Sequence, residues 1–242
     1  MAGTRLSVGV ATFAWMGREH GHATIRRDAF GIAAYAGAFS MSFGAISVAS
    51  GLSVAQTCVL SLLMFTGASQ FAFVGVVGGG GPALAAVPTA LLLGLRNTFY
   101  GVRMSGILGV RGGRSVLASQ LVIDETTAMA LARSQPQAQR YAFWVTGVTL
   151  FVLWNLGTLA GALAGPAIGD PETLGLDAAV PAAFLALLWP QLDDTTARVV
   201  AIGGAVIATV LVPLAPAGVP VLAAAPVAVV AGLRRRTVRD AT

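Results

Sequence analysis

The chain contains no lysine, one cysteine and two histidines in 242 residues. A single thiol, Cys58, makes neither an internal disulfide nor a metal cluster, and its place inside an apolar run is that of an inert buried thiol. Both histidines, His20 and His22, stand near the N-terminus beside one carboxylate, Glu19, so no metal site is expected there. Charge is scarce as well. Only 10% of residues are charged, against about 25% in soluble domains. That excludes an ordinary soluble fold. The apolar runs are continuous rather than alternating, which excludes a β-barrel.

What is present is hydrocarbon: 56% of residues are hydrophobic, gathered into runs near the roughly 20 residues a bilayer-crossing helix needs. The expected fold is all-α, a polytopic transmembrane bundle of seven to eight spans with broken or re-entrant helices. With lysine absent, all fifteen basic residues are arginine, and the net charge is +5. In a soluble chain that excess would suggest nucleic acid. Here the arginines sit mostly at the ends of apolar runs and read as topology signals, with the lipid bilayer as partner and no nucleic acid.

Three regions follow: an N-terminal cytoplasmic tail, 1–28, a membrane domain, 29–233, and a basic C-terminal tail, 234–242. Within the tail, 6–16 is apolar but too short to span. Spans are expected at 29–50, 55–77, 82–108, 141–165, 178–192, 197–212 and 218–233, while 116–133 can cross, re-enter or lie at the interface. Pro88 and Gly94 predict a break in the 82–108 run. Arginine bias places both termini in the cytoplasm and the loop 166–178 outside. An even number of crossings is then required between Arg27 and Arg140. Three runs are plain there, so either 116–133 crosses or another run folds into a hairpin. Gly157, Gly161 and Gly165, and again Gly101, Ser105 and Gly109, have the spacing of tightly packed helix faces.

Polar residues within the runs carry the functional signal. Ser69 and Gln70 follow Thr66 in one run; Arg96, Asn97 and Tyr100 cluster in the next; Asp124 and Glu125 lie within 116–133. Ser69 in the string GASQ has no imidazole base within the apolar runs, and Asp124 and Glu125 point to different helix faces, so neither a serine nor an aspartyl mechanism is served. No catalytic residue and no cofactor are expected. Binding is the better fit: Ser69, Gln70, Arg96, Asn97 and Tyr100 suit the carboxylate and amine of an amino acid, and Asp124 and Glu125 are candidates for ion coupling. The competing assignments are an internal salt bridge from Arg96 to Asp124 or Glu125, interhelical hydrogen bonding by Gln70, and helix packing by Trp154 and Asn155.

The chain resembles the AzlC-type branched-chain amino acid exporters over about residues 30–233. The likeness rests on FGAISVASGLS (43–53), FTGASQF (65–71), LRNTFYG (95–101), IDETTA (123–128), WNLGTLAG (154–161) and GLDAAVPAAFLALLWP (175–190). The resemblance implies export of leucine, isoleucine, valine and related amino acids across the bacterial inner membrane. It also implies a small membrane partner of the AzlD class, this chain being the large subunit of a two-component permease. The chain departs from the usual family pattern at Ala38, Ser40, Gly94 and Asn97. A non-transporting assembly or regulatory subunit is the alternative.

Overall fold

The computed structural model describes residues 21–165, 185, 188–189, 192–216 and 218–240, with side chains up to residue 232. Every regular element among these residues is a helix: α1 (His22–Ala49), α2 (Val54–Leu63), α3 (Ala68–Gly78), α4 (Ala83–Leu108), α5 (Gly113–Gln120), α6 (Asp124–Leu131), α7 (Pro136–Ala164), α8 (Thr195–Leu211) and α9 (Val219–Asp240). The expected outside loop 166–178 lies outside the described residues, as does most of the expected span 178–192.

α1 and α7, of 28 and 29 residues, are each long and apolar enough to cross a membrane; at 1.5 Å per residue they reach about 42 Å. They form the scaffold. Close approach between them depends on missing side chains. A Cβ at Gly157 would collide with the carbonyl of Gly37, and one at Gly161 with that of Met41. Small residues at such spacing let backbones touch and maximise dispersion contact, so this glycine face packs within the chain as its spacing predicts. Gly101 of the other small-residue face meets nothing within 4 Å. α1 also begins at His22, seven residues before the expected run. The His22 ring stacks on Tyr141 at 4.1 Å, and Asp28 pairs with Arg133 at 3.1 Å. These contacts tie the first two turns to the bundle.

The expected span 55–77 and the open segment 116–133 are both broken. The 55–77 run breaks at residues 64–67 into α2 and α3, and 116–133 breaks at residues 121–123 into α5 and α6. In the first hairpin the chain enters and leaves at one end of the bundle. A Cβ on Gly78, at the close of α3, would stand 2.7 Å from Ser50 Oγ, just before α2. In the second it enters and leaves at the opposite end: Arg140 Nε, near the start of α7, donates to the carbonyl of Ile107 at 2.8 Å, near the end of α4. The order is therefore helix, hairpin, helix, hairpin, helix, with the hairpins entering from opposite ends. The half-helices of 8–11 residues reach only about 12–17 Å, half the depth of a bilayer. The expectation that 55–77 crosses as one span is corrected: this run is the hairpin that the arginine count allowed. Broken helices are present, but in these two runs.

The break expected at Pro88 and Gly94 is absent, because α4 is one continuous helix. Pro88 removes only the bond to the carbonyl of Leu84, and Leu84 is exposed in the first turn. Local re-satisfaction makes such prolines tolerable in membrane helices. Gly94 has a packing role instead: its bare Cα admits Ser69 of α3, whose Oγ would lie 3.3 Å from an added Cβ.

A single aromatic core joins scaffold to hairpins. Phe43 meets Phe71 edge-on at 5.4 Å, and Phe65, within the first break, meets Phe151 of α7 at 5.0 Å. Buried hydroxyls pair across the helices, Ser47 with Thr57 at 2.8 Å and Ser61 with Thr158 at 3.3 Å. α8 and α9 pack chiefly on each other, and α9 touches α4.

Candidate functional site at the helix breaks

The end of a helix leaves backbone groups without partners, and at mid-bundle depth water is not there to supply them. The first break ends α2 and starts α3 through Gly67, whose φ of +58° lies in the left-handed region. A side chain would be strained there, and a Cβ would also meet Trp154 at 3.6 Å. The carbonyl end of α2 is fully supplied. Gln70 Nε2 donates to Ser61 O at 3.4 Å, Gln120 Nε2 donates to Leu62 O at 2.8 Å and to Leu63 O at 3.3 Å, and Thr66 N donates to Met64 O at 2.9 Å. Gln120 comes from the tip of the second hairpin, so one break caps the other.

The amide end of α3 is not supplied. Gly67 offers no side-chain cap, and Ala68, Ser69 and Gln70 are buried. The hydroxyls of Thr66 and Ser69 likewise have no hydrogen-bond partner.

The second break starts α6 through extended residues. Thr126 Oγ1 donates to Leu121 O at 2.7 Å and accepts from Ile123 N at 3.1 Å, which fixes the turn. Asp124 and Glu125 therefore occupy the first turn of α6 rather than the centre of a helix. There the partial positive charge of the helix N-terminus favours carboxylates. Arg96 Nη2 lies 2.8 Å from Asp124 Oδ2, and Tyr100 sits beside the same carboxylate.

A cleft of about 1140 Å³ opens between α2 and the α3–α4 pair. Its lining runs from Gly51, Leu52 and Ala83, near the helix ends, to a floor of Thr66, Ser69, Asn97 and Gln120 at the helix breaks. The walls are apolar, including Leu60, Phe73 and Leu91. The described polar groups of the lining are neutral. Of the residues expected to bind substrate, Ser69 and Asn97 line this cleft. Gln70 does not: it is fully buried and braces the end of α2. Arg96, Tyr100, Asp124 and Glu125 form a second group off the cleft. Arg96 lies two positions beyond Gly94, about 200° round the helix, which turns it from the cleft toward α6. Trp154 and Asn155 pack, as the competing assignment has it: Trp154 is in the aromatic core, and Asn155 donates to Phe151 O at 2.8 Å. Gln120 carries no site signal in the sequence. Its only local signal is an amide beside an apolar run, and its partners are 57 and 58 residues away.

Residues 31–168 match the family model described as AzlC protein. An uncharacterized membrane protein of Helicobacter pylori is 26% identical over 176 residues, 72% of this chain and 77% of that one. An uncharacterized membrane protein of Archaeoglobus fulgidus is 29% identical over 171 residues, covering 69% and 74%. The inner membrane protein YgaZ of Escherichia coli is 26% identical over 157 residues, 62% of this chain and 64% of that protein. No solved structure matches the chain. The family match contains both helix breaks and the cleft between them, and it spans more than half of the sequence: this chain belongs to the AzlC family of membrane proteins.

Proposed function

We propose that the chain is the large subunit of a two-component secondary permease that exports branched-chain and related hydrophobic amino acids across the bacterial inner membrane. The observation that carries this reading is the cleft, with apolar walls to take an aliphatic side chain and a floor of unpartnered polar atoms at a helix break. Polar groups at such depth are expensive unless a ligand or pathway uses them, and unwound backbone near the midplane is where secondary transporters bind substrate.

Ser69 and Asn97 contact the substrate in this reading, while Gln70 holds the break. Arg96, Tyr100, Asp124 and Glu125 form the coupling group. Arg96 links α4 to the second hairpin, so rearrangement of the pair is the means of passing motion between them. The arginine distribution supports both termini in the cytoplasm. Only α1 and α4 then cross between Arg27 and Arg140, which is the even number required. Gly51, Leu52 and Ala83, at one end of the cleft, lie on the outer side in this orientation. A small AzlD-type subunit completes the permease.

The test is counter-flow of labelled leucine in vesicles that contain this chain with its partner, and in vesicles that contain it alone. Exchange only with both subunits is expected. Full exchange by the single chain would refute the two-component claim, and no exchange by the pair would leave the assembly-subunit alternative.

A further inference from the structure

We infer that the first helix break is an anion site: the N-terminus of α3, with the hydroxyls of Ser69 and Thr66, takes a carboxylate from the cleft. Two ends meet in this break and they are treated oppositely. The carbonyl end of α2 already has donors in the amides of Gln70 and Gln120. The amide end of α3 is buried, lacks a side-chain cap and carries the positive pole of an eleven-residue helix, equivalent to about half a unit charge.

The second break gives the comparison. α6 brings two carboxylates of its own, Asp124 and Glu125, to its first turn. α3 has Ala68, Ser69 and Gln70 at the same positions and no acidic residue. Ser69 is the independent pointer to a ligand. Its side chain lines the cleft, it is only 2% exposed, and its Oγ has no partner. Thr66 Oγ1, on the same floor, has none either. Backbone amides at a helix start together with hydroxyl donors are the recurrent means of holding carboxylate and phosphate. Arg96 is unsuited to the task because Asp124 already occupies it. Gly94 sets the room: a side chain there would press on Ser69 Oγ from 3.3 Å outward.

The inference rests on the amino acid reading for the identity of the carboxylate, not for its existence. The experiment measures thermal stabilisation of the purified full-length chain with its partner in detergent. The probes are leucine, 4-methylpentanoate (the acid without the amine) and 3-methylbutylamine (the amine without the acid). The acid should raise Tm by several degrees and the amine should not. Ser69→Ala should weaken the acid about tenfold, the loss of one hydrogen bond to a charged group, and Gly94→Val should abolish its effect. Stabilisation by the amine and not the acid overturns the anion site, and the wild-type comparison needs no variant to fold. Stabilisation by leucine with no effect of the acid, or with Ser69→Ala unchanged, also overturns it and leaves the export reading standing. Stabilisation by the acid without leucine keeps the anion site and removes the amino acid reading. If no probe acts, both fall.

Discussion

The guanidinium of Arg96 lies 2.8 Å from the carboxylate of Asp124, joining the middle of α4 to the first turn of α6. Their side chains are 39% and 35% exposed, so the pair is weaker than a fully buried one, whose disruption costs about 3–5 kcal/mol. Arg96→Ala is expected to lower the amount of folded protein by less than the loss of a fully buried pair would. Exchange of the two charges in the double variant should recover part of it. Folded protein in the membrane, measured by fluorescence-detected gel filtration, checks this. Equal abundance in Arg96→Ala and wild type would show that the pair does no structural work.

Coupling can be separated from folding at the same pair. Asp124→Asn and Glu125→Gln should abolish uphill export while leaving leucine exchange intact, if either carboxylate carries the coupling ion. Uphill transport at wild-type rate in both variants would remove these residues from the coupling step.

Gln120 should matter more than its half-exposed position suggests. Its amide serves the carbonyls of Leu62 and Leu63, and a hydrogen bond of this kind contributes about 0.5–1.5 kcal/mol. Gln120→Ala is expected to lower Tm, and Gln120→Glu to lower it further, because a carboxylate cannot donate. An unchanged Tm in both variants would mean that another donor reaches these carbonyls.

Two glycines with the same small-residue spacing should behave oppositely. Gly161→Ala puts a methyl against the carbonyl of Met41, whereas Gly101 has open space around it. The first variant should yield little folded protein. The second should be neutral or stabilising by about 0.5–1 kcal/mol, since alanine is the better helix former. Parallel expression and melting curves decide the matter.

The hairpins predict accessibility. In a Cys58→Ser background, cysteines at Leu52 and Gly79 should label from the same side of the membrane, because Gly78 packs beside Ser50. A straight span over 55–77 puts them on opposite sides. A cysteine at Thr237 should label from the cytoplasm, and external labelling there would reverse the assigned orientation.

By itself the sequence determined the solvent and the places where it is violated. Low charge and continuous apolar runs report the transfer of each segment from water to lipid, a property of local composition. For the same reason Ser69, Asn97, Arg96 and Asp124 were legible as polar residues at depth. Only the tertiary structure decided the direction of the chain. An apolar run such as 55–77 meets the bilayer equally well straight or folded back, provided that the carbonyls at its tip find donors. Those donors are Gln70, nearby, and Gln120, on another hairpin. Pro88 shows the converse: a strong local breaker stays within a helix because it removes only one bond, in the first turns. Tertiary packing also separated residues adjacent in sequence. Asn97 faces the cleft, and Arg96 turns away to Asp124, because 100° per residue sends neighbours on a helix to different surroundings.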